Sequence, residues 1–269
     1  MLFDFIMIGL GIVFIVLTIL VLFKLVAEPI YMLLCKKPIY VHYYPFPRKL
    51  TSIQQSILRR EFAYYFRLSE KRKIYFEHRI STFLNRYQLV GNGISVDNDE
   101  VKMIVAGTYV MLTFGMRQYL TSVFDKIIIY PNIYYSTVNE EYHKGEFNPK
   151  LKAVVFSWND FLSGHQVTNN NINLGLHEFT HALHIGSKKR HYSSDVIFID
   201  EFNAILEYLK NADFRQKMLT DDYFRDYAYE NQFEFLAVLL EHFFETPEEF
   251  NRLYPELFSH VRRMINFQN

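Results

Sequence analysis

The sequence predicts a mainly helical α+β domain with a small sheet, carried behind a single transmembrane helix. Three observations predict it: an uncharged apolar run near the N-terminus, helical periodicity through most of the second half, and two short β-branched segments bounded by turn residues. The 269 residues suffice for one substantial core. With half of them apolar and 17% aromatic, composition argues against disorder.

The first element is the run FIMIGLGIVFIVLTILVLF between Asp4 and Lys24. Its 19 uncharged residues, at about 1.5 Å each, come close to a hydrocarbon core of about 30 Å. A cleaved signal peptide fits less well, because no basic residue precedes the run and no small-x-small pattern follows it. Lys24, Lys36, Lys37, Arg48 and Lys49 all follow the span. The positive-inside rule therefore predicts a single-pass protein of the cell membrane with its C-terminal domain in the cytoplasm. Residues 1–37 form the anchor and its flank, 38–49 (with PIYVHYYPFP) an extended linker, and 50–269 the folded domain.

Within the domain, Thr51 and Ser52 cap a helix to about residue 68, and a second helix runs from 69 to 89 and stops at Gly91. The residues Asp97 to Asp99 cap a third, to about 118. KIIIY (126–130) and KAVVFSW (152–158) read as strands. A polar loop over 165–171 leads to a helix from about 172 to 185, with Gly186 as its C-cap. Helical patterns follow near 201–218, 232–245 and 248–265, and the charged residues from Lys188 to Glu201 read as a solvated connection.

Equal numbers of basic and acidic residues give a net charge of zero and argue against a nucleic-acid partner. The single cysteine, Cys35, removes any Cys-rich zinc site and leaves His and carboxylate as metal ligands. Against that background His177-Glu178-Phe179-Thr180-His181 stands out. On a helix His177 and His181 leave one face a turn apart, so both can reach one Zn²⁺ at about 2.0–2.1 Å. Glu178 falls beside the metal, placed to take a proton from an activated water and pass it to the leaving amine.

A catalytic zinc needs a third protein ligand. The metzincin pattern requires Gly at 184 and His at 187, where this chain has His184 and Ser187. Glu201, on a returning helix, and Glu234, at the head of QFEFLAVLLEHFFE, both remain open. The neighbours of Glu234 bear on the choice. HEFTHALH followed by YAYENQFEFLAVLLEHFFETPEEF resembles the zinc peptidases of the Mlc titration factor A type, and RYQLVG, IIIYP and VVFSWNDFL extend the resemblance from about Leu50 to the C-terminus.

That resemblance implies a zincin-like fold of the gluzincin class, peptide-bond hydrolysis, Glu234 as the third zinc ligand and Tyr227 as a hydrogen-bond donor to the transition state. Its substrate would be a peptide or protein, and by analogy with zincin folds the 152–158 segment would bind it as an added strand. The family commonly has an acidic residue where this chain has His184, which reads here as a structural histidine; Glu241, two turns beyond Glu234, reads as a helper of the metal ligands. The alternative is a membrane-tethered regulatory protein that keeps a zinc site but captures a partner such as a transcriptional regulator, as one member of the resembled family does.

Overall fold

A computed structural model describes residues 2–136, 140–167 and 169–268. The apolar run folds as α1 (Leu2–Leu22) and continues through a π-helical turn (Phe23–Ala27) into α2 (Glu28–Cys35), so the helix extends well past Lys24. No side chain of α1 is buried, and its apolar residues face outward all round. Such a surface is stable only in an apolar surrounding. By length and composition the helix can cross a membrane, a test that an N-terminal signal sequence also passes. Its far end docks on the domain: buried Glu28 pairs with Arg117 at 2.5 Å and accepts from Ser193 Oγ at 3.1 Å. The 38–49 stretch has no helix or strand and lies on the domain, with His42 stacked on Tyr75 and Tyr44 accepting from Arg79.

The first helix of the domain, α3 (Ser52–Glu61), starts on a capping box made by Thr51 and Gln54. It stops earlier than its periodicity predicts, because Phe62 turns to an extended backbone before the short α4 (Ala63–Arg67). The Phe62 ring fills the notch at Gly107, where an added Cβ would come within 2.5 Å of it. Next, α5 (Glu70–Arg86) also ends early, since Gln88–Gly91 leaves the helix and becomes strand β1. Parallel pairing with β2 satisfies its backbone groups. Between them, α6 (Asp99–Thr113) is buried along most of its length; its C-terminal carbonyls at Thr113 and Phe114, with that of Met116, accept from the buried Arg79 guanidinium.

Strands β2 (Lys126–Tyr130), β3 (Tyr134–Ser136), β4 (Glu141–His143), β5 (Gly145–Asn148) and β6 (Ala153–Ser157) complete the β structure. The main sheet has the order β1-β2-β6-β5, parallel except for β5, which runs antiparallel to β6; β3 and β4 form a hairpin. Every residue of β6 is buried, so β6 is an inner strand, and the edge beside it belongs to β5. Any strand addition on this side would therefore meet β5, not the 152–158 segment.

After β6, Ser157 caps α7 (Trp158–Gln166), a helix that takes in His165 and Gln166 from the predicted polar loop; Thr168 of that loop lies outside the described residues. The motif helix α8 (Leu174–Lys189) is capped by Asn173 and runs a turn past Gly186. Gly186 is thus no cap: it sits inside the helix against Thr121 Oγ1, 2.5 Å from where a Cβ would be. The supposed solvated connection is instead the start of α9 (Ser193–Tyr208), with Asp195 fully buried and paired to Arg190. The predicted 201–218 helix divides at Asn211, which caps α10 (Ala212–Asp221). A 3₁₀ turn (Asp226–Tyr229) leads into α11 (Gln232–Glu245), and Pro255 separates α12 (Pro247–Leu253) from α13 (Pro255–Met264). Leu236, Val238, Leu239 and Leu240 of α11 join Phe179 and Leu183 of α8 in one core.

Candidate metal centre

The site lies where α8 meets the N-terminal turn of α11. Leu176, Phe179 and Leu183 bury α8 in the core, which turns His177 and His181 to its other face. Asn231 accepts the backbone N–H groups of Phe233 and Glu234, so Glu234 sits in the first turn of α11 with its carboxylate toward the histidines. His177 Nε2 lies 2.8 Å from Glu234 Oε2, His181 Nε2 lies 3.1 Å from His177 Nε2, and His181 Nε2 lies 3.4 Å from Glu234 Oε2.

Three donor atoms converging in this way could hold a metal ion. A tetrahedral zinc with bonds of about 2.0–2.2 Å would space its ligand atoms by about 3.3–3.6 Å. The observed triangle is close to that size, with the 2.8 Å contact its tightest side. The local field also favours a cation. Burial opposes charge on His177, but hydrogen bonds to Glu234 and Glu241 outweigh it and push the imidazole up to about 10. Glu234 resists burial through its bonds to His177 and His181, which hold it well below the usual carboxylate range.

Glu178, next to His177, is 7% exposed and lies under β5. Burial pushes its carboxyl up, while His177, His181 and the backbone N–H of Phe147 act in the opposite direction. Close approach of the strand requires Gly145, where a Cβ would lie 2.6 Å from Leu174 Cδ1 and 3.0 Å from Glu178 Oε1. Tyr227 stands with its ring 5.6 Å from that of His177. Burial raises its phenol above the ordinary range, with added contributions from the charge of Glu234 and a hydrogen bond to it, so the hydroxyl stays protonated at neutral pH.

All five residues singled out in the sequence, His177, Glu178, His181, Tyr227 and Glu234, therefore come together. The competing Glu201 does not join them: its carboxylate pairs with His260 at 2.7 Å and Arg263 at 3.0 Å, tying α9 to α13. His184 packs against Phe202 and Phe233, and burial lowers its imidazole to about 4. Glu241 is more deeply involved than its spacing suggested, reaching His177 Nδ1 at 3.3 Å. Arg225, unnoticed in the sequence, pairs with Glu241 at 2.6 Å. Asn173 adds its backbone N–H to the same carboxylate at 3.3 Å and its side chain to Glu245 at 3.2 Å.

Residues 40–265 match the sequence model of the family described as glucose-regulated metallo-peptidase M90. An uncharacterized protein of Synechocystis sp. is 26% identical over 242 residues, covering 81% of this chain and 85% of its own length.

Proposed function

The chain belongs to the glucose-regulated metallopeptidase M90 family, that of Mlc titration factor A, and from this premise we propose that it is a zinc-dependent peptidase of the gluzincin class with a zincin-like domain. The observation that carries the proposal is the convergence of His177 Nε2, His181 Nε2 and Glu234 Oε2 within 4.8 Å of one another. Two imidazoles and a carboxylate form the donor set of a catalytic zinc with one position left for water or substrate. When bound there, zinc would polarise the scissile carbonyl and acidify a water.

The protein's own groups supply the rest. Glu178 is the general base: its burial raises its affinity for a proton, and the N–H of Phe147 fixes its orientation. The proton then passes to the departing amine. Tyr227, protonated and beside Glu234, donates to the oxyanion as it develops. Peptide substrate pairs in extended form along the edge of β5, which places its backbone next to Glu178. The apolar helix anchors the chain in the cell membrane in a single pass, and the basic residues after it keep the peptidase domain cytoplasmic.

Glu178→Gln tests the reading in the detergent-solubilised full chain. A peptidase retains its zinc and loses turnover of a peptide library by about 10²-fold or more. Unchanged biological activity in the variant, with capture of a regulatory partner intact, would instead identify a tethered binder.

A further inference from the structure

Glu241 is 1% exposed, and its carboxylate meets three groups: His177 Nδ1 and the backbone N–H of Asn173, each 3.3 Å from Oε1, and the Arg225 guanidinium, whose Nη2 forms an ion pair with Oε2 at 2.6 Å. Stability gives little reason for this arrangement, because a buried ion pair commonly contributes less than apolar side chains of the same volume. Position gives a better one. Glu234 and Glu241 lie two turns apart on α11 and take the two nitrogens of one imidazole, Nε2 and Nδ1. With a metal in the site, a donor bond from Nδ1–H to Glu241 would hold the tautomer that leaves Nε2 to the metal.

Arg225 extends this arrangement in two directions. It also donates to the carbonyl of Asn171, in the loop that leads into α8, and its guanidinium carbon lies 5.8 Å from the centre of the Tyr227 ring. Thus the segment that carries Tyr227 and the entry to the motif helix are referenced to one buried carboxylate.

Resting on the metallopeptidase reading above, we propose that Glu241 and Arg225 are positioning residues: together they orient His177 for the metal and hold the Tyr227 segment in register with it. Neither touches the reacting atoms. The Glu241 carboxylate sets the His177 tautomer and ring direction, and the Arg225 guanidinium holds that carboxylate in place.

The test is zinc affinity of the full chain, measured by chelator competition, together with the visible spectrum of the Co²⁺-loaded protein, for wild type, Glu241→Gln, Arg225→Lys and the double variant. Apo-state thermal melts check that each variant folds. The expected result is a 10- to 100-fold loss of zinc affinity in Glu241→Gln with an altered Co²⁺ spectrum, a smaller loss in Arg225→Lys, and a double variant no weaker than Glu241→Gln alone. Should Glu241→Gln not fold, Arg225→Lys, which keeps the charge and changes only the fork, decides the matter. Wild-type affinity and spectrum in the folded variants overturn the proposal and leave the peptidase reading standing. A wild-type chain that takes up no zinc overturns both.

Discussion

The second ring nitrogen of His177 faces the buried carboxylate of Glu241, 3.3 Å from its Oε1. An accidental pair of core histidines requires no such contact. An isolated buried imidazole stays neutral in either tautomer, whereas here one nitrogen is committed to a carboxylate and the other turns to Glu234 and His181. Several consequences can be measured.

Glu234→Ala removes one of the three converging donors, and bound zinc should fall below one equivalent per chain. Glu201→Ala should leave zinc content unchanged and instead lower stability by about 1–3 kcal/mol, because His260 and Arg263 lose their shared carboxylate. Metal analysis beside thermal unfolding distinguishes the two. The opposite pattern would make Glu201 the third ligand.

Tyr227→Phe deletes a hydroxyl that burial keeps protonated. Removal of one oxyanion donor costs about 10²–10³ in kcat, so the variant should show that loss with zinc content intact and KM little altered. A kcat equal to wild type would reduce Tyr227 to a packing role.

Gly145→Ala places a methyl group against Leu174 and the Glu178 carboxylate. The strand or the base must shift, so peptide turnover should drop at least tenfold while zinc binding at the histidines is retained. Full activity would show that β5 does not set the position of Glu178.

Glu245 links stability to pH. Burial, with the charge of Glu241 beside it, pushes its carboxyl from the ordinary 4.5 up to about 7, against hydrogen bonds from the Asn173 side chain and the backbone at Asn171 and Ile172. Between those two values the folded state binds more protons than the unfolded state, so this group's contribution to stability declines as pH rises from about 4.5 to about 7. Glu245→Gln should therefore raise the melting temperature relative to wild type at pH 8 and leave the two alike at pH 4. An equal effect at both pH values would contradict the assignment.

The parts of this protein legible in its sequence are the ones set by local spacing. The pair His177 and His181 shares a helix face whatever the rest of the chain does, and the helix that carries them starts beside the capping Asn173. The apolar run and the cores of β2 and β6 were equally local. Spacing alone left Glu201 and Glu234 equal, since both follow the motif on helices; the resemblance favoured Glu234, and it is packing that sends α9 toward α13. Strands β1 and β5 escaped notice because Gln88–Gly91 reads as a helix tail and Gly145–Asn148 has little β-branched character. Arg225 lies just before a 3₁₀ turn with no periodicity, so nothing in its neighbourhood announces that it reaches Glu241.

Metal dependence of peptide hydrolysis by the purified full chain tests the central claim most directly. Chelation should abolish hydrolysis and one equivalent of Zn²⁺ per chain should restore it, with no restoration in His177→Ala or His181→Ala. Hydrolysis that survives complete removal of metal, or zinc-restored activity in either histidine variant, would contradict the assignment of this cluster as the catalytic zinc site.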